Sequence, residues 1–238
     1  MSADNWIDGP LLGFDTETTG VSVDNDRVVT AALVLQAPTA DGAPRTEVRQ
    51  WLIDPGVEIP ATATAVHGIT TAHARAHGVA PYEALEDIAD ALAAHLRAGH
   101  PVVVYNAAYD LPLLDNELAR HGLPLLADRI GGPVEPVLDP LVLDRWQDKW
   151  RRGKRKLGDL VGVYDVLVAD NLHAADVDVL ATLEVLRAIV AKYPALGATP
   201  LSDLHEAQRQ AHRAWAESFN EWLARQNPDR EGASLDWV

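Results

Sequence analysis

The sequence of 238 residues contains no cysteine, which excludes disulfide bonds and thiolate metal sites. It also has no apolar run that approaches the ~18 residues needed to span a membrane. The polar residues that follow Met1 do not resemble a signal peptide. From these absences we expect a cytoplasmic protein that makes no membrane contact.

Positive charge is also scarce, because 20 Lys and Arg residues face 35 Asp and Glu residues, for a net charge of −15. Nucleic-acid binders usually carry a basic surface, so composition alone argues against one. The basic residues are unevenly distributed, however. The segment 145–156, RWQDKWRRGKRK, holds seven basic residues and one acid, so it carries +6 and the rest of the chain −21. Such asymmetry is compatible with a protein that contacts a polyanion over a small area.

The apolar pattern changes its period along the chain. Apolar, β-branched segments at 11–17, 28–36 and 48–54, joined by short polar links, predict an antiparallel meander. Later, helical spacing predicts helices at 82–96, 111–118, 157–164 and 176–193, with short strands at 101–106 and 136–140. Three strands followed by strands alternating with helices favour an α/β fold, with a mixed sheet covered by helices on both faces.

The chain length favours one domain with an extension. Thr199-Pro200 suits the cap and first turn of a new helix. We therefore expect a main domain at 1–198 and a C-terminal helical extension, packed on that domain, at 199–238. The last dozen residues, from Asn227, are expected to be frayed or extended.

Two acids end the first predicted strand, LLGFDTE (11–17). Side chains at i and i+2 of a strand point to the same face, so Asp15 and Glu17 are expected side by side. Burying their mutual repulsion is costly unless a cation offsets it, and hard ions such as Mg²⁺ or Mn²⁺ prefer such oxygen ligands. The simpler alternative is a strand end that emerges into solvent, with both acids merely exposed.

Three further candidates are weak in isolation. Asp110 is expected in the first turn of a helix, where an acid is favoured without any function because the helix N-terminus is partly positive. His173 and Asp178 lie five residues apart, which on a regular helix separates them by ~140°. They converge only if His173 lies on the turn that leads into the helix. Otherwise His173 is an exposed or capping residue.

Together and in order, three blocks resemble the motifs of the DEDDh exonucleases: FDTETTG (14–20), NAAYDLPLL (106–114) and HAADVDVLAT (173–182). That superfamily includes the proofreading epsilon subunit of bacterial DNA polymerase III. The segments AVHGIT (65–70) and GKRKLGDL (153–160) are also similar to the family, and the resemblance spans residues 10–193.

The resemblance implies a ribonuclease H-like fold and a 3′→5′ exonuclease that hydrolyses single-stranded or frayed DNA to nucleoside 5′-monophosphates. It implies two divalent metal ions, Mg²⁺ or Mn²⁺, a role in proofreading or repair, and His173 as general base. Four acids would hold the metals: Asp15, Glu17, Asp110 and Asp178. Five other residues would contact the substrate: Thr18, His67, Arg152, Lys154 and Arg155.

Some features depart from the family pattern, and two alternatives stay open. The chain after residue 199 is not covered, and neither a sliding-clamp peptide nor the Tyr-Arg-x-x-Asp motif of the oligoribonuclease branch is found. One alternative is an RNA-trimming exoribonuclease, because contacts to the 2′-OH are not visible in sequence. The other is an epsilon-like subunit that docks on a DNA polymerase through the helix carrying Trp215, Phe219 and Trp222.

Overall fold

A computed structural model describes residues 5–39, 45–167 and 174–238. In these residues a sheet of five strands has the order β3-β2-β1-β4-β5. The strands are β1 (Leu11–Thr18), β2 (Val28–Ala37), β3 (Arg45–Leu52), β4 (Val102–Val103) and β5 (Val137–Leu138). β1, β2 and β3 are antiparallel neighbours, whereas β4 and β5 run parallel to β1. The predicted mixed sheet of a ribonuclease H-like α/β fold is confirmed.

Helices follow the meander and alternate with the short parallel strands. In the described ranges they are α1 (Ala61–His67), α2 (Thr71–His77), α3 (Pro81–Arg97), α4 (Ala107–Arg120), α5 (Leu126–Ile130), α6 (Pro140–Gln147), α7 (Leu157–Val163), α8 (Ala175–Lys192), α9 (Ala195–Ala198) and α10 (Leu201–Gln226). A single 3₁₀ turn, Trp6–Asp8, precedes β1. No helix in this described part of the chain is both long enough and apolar enough to cross a membrane.

The local patterns missed the elements that bury little. α1 has no buried residue and α2 buries only Ala74, so neither shows an apolar stripe that would predict a helix. β3 begins at Arg45, three residues before the prediction, and its first six residues are exposed. It is an edge strand, and backbone pairing with β2 rather than burial stabilises its extended conformation.

β1 lies in the middle of the sheet, and its two faces pack against different helices. Leu12 and Phe14 pack in a core with α3 and α4, whereas Leu11 packs in a second core with α8. A Cβ at Gly13 would lie 2.3 Å from a methyl carbon of Val179, so the glycine allows α8 to approach β1 closely. Because side chains alternate along a strand, the acids at 15 and 17 point to the α8 face.

Side chains of α10 cover the outer edge of β5. His205 Nδ1 accepts a hydrogen bond from the Val137 amide at 3.2 Å. Gln208 donates to the Val137 carbonyl at 3.0 Å and accepts from the Asp139 amide at 2.8 Å. The edge of the sheet therefore has hydrogen-bond partners where another strand could otherwise pair.

An irregular segment, residues 227–238, returns along α10, and we call it the return segment. Asn220 of α10 bonds both the amide and the carbonyl of Ala233, at 2.7 and 2.9 Å. Trp237 is only 2% exposed and belongs to the core formed with α3 and α4. The segment is irregular, which agrees with the expectation of a frayed or extended end, but Trp237 anchors it because the large indole occupies a buried site.

Candidate active site

Three acids meet where the end of β1 faces the first turn of α8. One carboxylate oxygen from each of Asp15, Glu17 and Asp178 lies within 4.8 Å of the others, and all three residues are partly buried. Gly13 packs closely against Val179, which follows Asp178 directly in α8. This contact brings Asp178 close to Asp15 and Glu17. We call these three residues the acidic trio.

Asp110 approaches the trio from the opposite side of the sheet. It lies in the first turn of α4 and is only 4% exposed. Its Oδ1 accepts hydrogen bonds from the Thr16 amide at 3.1 Å and the Thr16 hydroxyl at 2.5 Å. Since Thr16 alternates with Asp15 and Glu17 along β1, it holds Asp110 against the strand that carries the trio.

Burial, together with repulsion between neighbouring carboxylates, changes the titration of these acids. Burial, followed by the charges of Asp110, Asp178 and Glu17, raises the pKa of Asp15 well above its usual range. Burial and the nearby charges of Asp178 and Asp110 raise the pKa of Glu17 to about 7. Burial also raises the pKa of Asp110 to about 7, although the hydrogen bonds from Thr16 oppose the shift. A divalent cation would offset this repulsion, and the all-oxygen donor set fits Mg²⁺ or Mn²⁺.

These shifts predict that the metal-free protein loses stability between pH 5 and pH 8. An ordinary carboxyl group has a pKa of ~4, so above that pH the unfolded chain releases protons that folded Glu17 and Asp110 retain up to about pH 7. Because the folded state binds more protons in this range, the free energy of unfolding decreases as pH rises. We expect the Tm in EDTA to fall over this range, and Mg²⁺ to raise it at pH 8 but hardly at pH 5.

The excess of negative charge also destabilises the protein as pH rises, so the control must change charge equally. Glu217 is exposed on α10, and Glu217→Gln removes one charge far along the chain from the acids. We expect Asp15→Asn to reduce the loss of Tm in EDTA more than Glu217→Gln does. Equal effects of the two variants would show that general charge, and not the acidic trio, sets the pH dependence.

The acids open into a cleft of about 430 Å³ that also includes part of the basic segment. Tyr105, Asn106, Arg155 and Lys156 line it together with the trio and Asp110. Two basic residues therefore line the same cleft as the acids.

A second cleft, of about 700 Å³, lies on the other side of Glu17. Its lining includes Thr18, His67 and Tyr109. The hydroxyls of Thr18 and Tyr109 lie 2.8 Å apart, and they lie 2.6 and 2.7 Å from the Gly20 carbonyl. These contacts fix the loop after β1 onto the first turn of α4.

His67 lines the second cleft, although its Nε2 atom is buried. Its Nδ1 accepts from the Ile69 amide at 3.1 Å, so in the neutral ring Nε2 carries the proton. Burial lowers the pKa of His67, which favours this neutral form. Nε2 makes no hydrogen bond within the described residues.

The predicted phosphate contacts of the basic segment divide into two groups. Arg155 and Arg151 form ion pairs with the fully buried Asp144, and Arg155 also donates to the Asp148 carbonyl at 2.6 Å. The Arg155 guanidinium thus holds the segment onto α6. Arg152 and Lys154 are exposed. The substrate role of all three residues stays a prediction.

His173, the predicted general base, lies outside the described residues, which resume at Ala174. The sequence analysis did not identify Thr16, Asn106 or Tyr109 as part of the site. Asn106 adopts a left-handed backbone conformation with φ 62°, which asparagine tolerates better than most residues. The residue type at this position was therefore a signal in the sequence. Thr16 and Tyr109 gave no such signal, because their importance depends on contacts about 90 residues apart.

Comparison with known proteins gives a matching family model and several sequence relatives. The model of the RNase T family, described as exonucleases, matches residues 12–186. The chain is 30% identical over 173 residues to a PolC-type DNA polymerase III from Streptococcus thermophilus. The match includes 71% of this chain but only 10% of the polymerase, so the chain spans about a tenth of that relative.

Solved structures with similar folds include exonuclease I proteins. The exonuclease I of E. coli, crystallised with a dT13 oligonucleotide, has a TM-score of 0.61 and 20% identity, covering 79% of this chain and 42% of that protein. The exonuclease I of Methylocaldum szegediense has a TM-score of 0.62 and 20% identity, with 90% and 46% covered. At this identity the two structures support the fold alone.

Proposed function

This chain belongs to the RNase T family of exonucleases, and on that premise we propose that it removes nucleotides from the 3′ end of single-stranded or frayed DNA. The products are nucleoside 5′-monophosphates. The observation that carries the proposal is the acidic trio at the end of β1, with Asp110 held beside it by Thr16. The PolC-type relative is a DNA polymerase, which favours DNA over RNA as the substrate.

Four carboxylates suit a site for two divalent ions, Mg²⁺ or Mn²⁺. Asp15, Glu17 and Asp178 would hold one ion, and Asp110 would help Asp15 to hold the second. Ions bound at such sites lower the pKa of a bound water and stabilise the leaving oxygen of a phosphodiester. His173 would accept the proton of the attacking water as general base.

The remaining residues would hold and orient the strand. Thr18 and His67 line the second cleft beside Glu17, which suits contact with the terminal nucleotide. Arg152 and Lys154 would contact phosphates further along the strand. An unpaired end should be preferred, because a base-paired terminus would have to be separated before its last nucleotide could reach the acids.

The polarity of digestion tests the proposal directly. With Mg²⁺ and a single strand labelled at its 5′ end, we expect a ladder of successively shorter labelled products, and none in EDTA. A bulky group on the 3′-OH should stop digestion, because the end could not enter the site. Efficient cleavage of a covalently closed circle would show an endonuclease, and faster turnover of a matched RNA strand would favour the exoribonuclease alternative.

A polymerase partner is a second proposal, favoured by the PolC-type relative. Trp215, Phe219 and Trp222 form a ladder along α10, with ring centroids 5.4 and 5.8 Å apart. Trp222, the last residue of this ladder, is 50% exposed. Gel filtration with a replicative polymerase should show co-elution that Trp222→Ala weakens, and separate elution of the wild-type chain would contradict docking.

A further inference from the structure

A buried acid outside the trio joins the N-termini of two helices. Asp139 follows β5 and is only 1% exposed. Its Oδ1 accepts from the amides of Asn106 at 3.0 Å and Leu141 at 2.9 Å. Its Oδ2 accepts from the Ala107 amide at 2.9 Å. Asp139 therefore caps α4, which has no cap from its own Asn106 side chain, and caps α6 as well.

The fourth donor to Asp139 comes from the return segment. Trp237 Nε1 donates to Asp139 Oδ2 at 3.2 Å, across 98 residues of sequence. The indole also packs against the His205 ring, with centroids 5.2 Å apart, and is almost fully buried. In the described residues the four hydrogen bonds to Asp139 all come from N–H groups, and the charge of Arg145 adds an electrostatic attraction.

One of the two helices that Asp139 caps, α4, also carries Asp110. Ala107 begins α4, and Asp110 follows within the same first turn. A change in the capping contact would tilt or loosen this turn. Tyr109 and Asp110 would then move relative to Thr16 and Thr18 of β1, to which they are bonded.

We propose that Trp237 is a positioning residue, which acts through Asp139 to fix the first turn of α4 and so to hold Asp110 beside the acidic trio. The proposal rests on the proposed nuclease function for its catalytic consequence, but the structural consequence is independent of that function. The return segment, which the family match does not include, is thereby part of the support of the site.

Trp237→Phe tests the proposal, because it removes the N–H donor and keeps an aromatic ring in the core. We expect faster amide hydrogen exchange in residues 104–112. We also expect kcat on single-stranded DNA to fall about tenfold with KM within about twofold, since small misplacements of reacting groups are costly to rate. The Mn²⁺ concentration for half-maximal rate should rise as well, because Asp110 is less well placed.

The matched control is Trp6→Phe. Trp6 Nε1 donates to the Leu196 carbonyl at 3.0 Å, so this variant also removes one partly buried indole hydrogen bond, but one that involves neither Asp139 nor α4. We expect a similar loss of Tm and wild-type exchange in 104–112. Asp139→Asn is a second variant, and Trp237→Phe should have little further effect when added to it, since coupled residues are not additive.

The outcomes separate positioning from general packing. Unchanged exchange in 104–112 for Trp237→Phe, or the same loss of kcat in Trp6→Phe, would overturn the proposal. Full additivity with Asp139→Asn would do the same. If the wild-type protein showed no nuclease activity, the proposed function would fail, and the exchange measurement would still decide the positioning role.

Discussion

Asp15→Asn should abolish nearly all nuclease activity while the fold is retained. Asp15 lies between Glu17, Asp178 and Asp110, and the charges of all three act on its carboxyl group. An amide cannot offset the charge of a metal ion, and metal ions supply several kcal/mol of transition-state stabilisation. Since about 1.4 kcal/mol corresponds to tenfold in rate, we expect kcat to fall by roughly 10³-fold or more.

The same substitution removes repulsion from the metal-free site, so its Tm in EDTA should equal or exceed that of the wild type. Asp8→Asn is the control, because Asp8 is exposed just before β1 and loses the same charge. It should keep the wild-type rate. A purified Asp15→Asn protein with near-normal activity, or one that fails to fold in EDTA, would contradict the metal assignment.

Short-range patterns were sufficient to predict the meander and two of the three acids in the acidic trio. The alternation of LLGFDTE places Leu12 and Phe14 in one core and directs Asp15 and Glu17 to the other face. Alternation depends only on strand geometry, so these seven residues are enough to predict it. The resemblance to a known family then indicated which distant segments supply Asp110 and Asp178.

Contacts between distant segments could not be predicted in this way. The hydrogen bond from Thr16 to Asp110 spans 94 residues and the one from Trp237 to Asp139 spans 98. Arg155 looked equivalent to Arg152 in a basic run, yet the buried Asp144 engages its guanidinium. Each of these contacts depends on the packing of α4, α6 and α10 against the sheet, which cannot be predicted from local sequence periodicity.

This packing also explains how basic side chains come to line the acidic cleft. Arg151 and Arg155 anchor the basic segment to Asp144 of α6, and Asp139 caps the start of the same helix. Lys156 then lies beside the acidic trio in the cleft. The local charge is therefore fixed in place by buried acids, whereas the net charge of −15 would repel a polyanion at long range.

His173→Ala is expected to reduce kcat by roughly 10²–10⁴-fold, the contribution typical of a general base. The metal ligands are untouched, so the Mn²⁺ concentration for half-maximal rate should change little. His77→Ala is the matched control, because His77 is an exposed histidine at the end of α2. It should keep the wild-type rate.

The pH dependence identifies which group accepts the proton. An ordinary imidazole titrates near pH ~6.5, so the wild-type rate should rise with pH through that range and level off above it. Glu17 and Asp110, with pKa values of about 7 in the metal-free protein, would produce a similar rise. Saturating Mn²⁺ separates the two sources, because a bound cation favours the ionised carboxylates and moves their titration to lower pH. Under saturation we expect the rise to persist in the wild type and to flatten in His173→Ala. A variant that keeps both the wild-type rate and the wild-type rise would show that His173 is not the base.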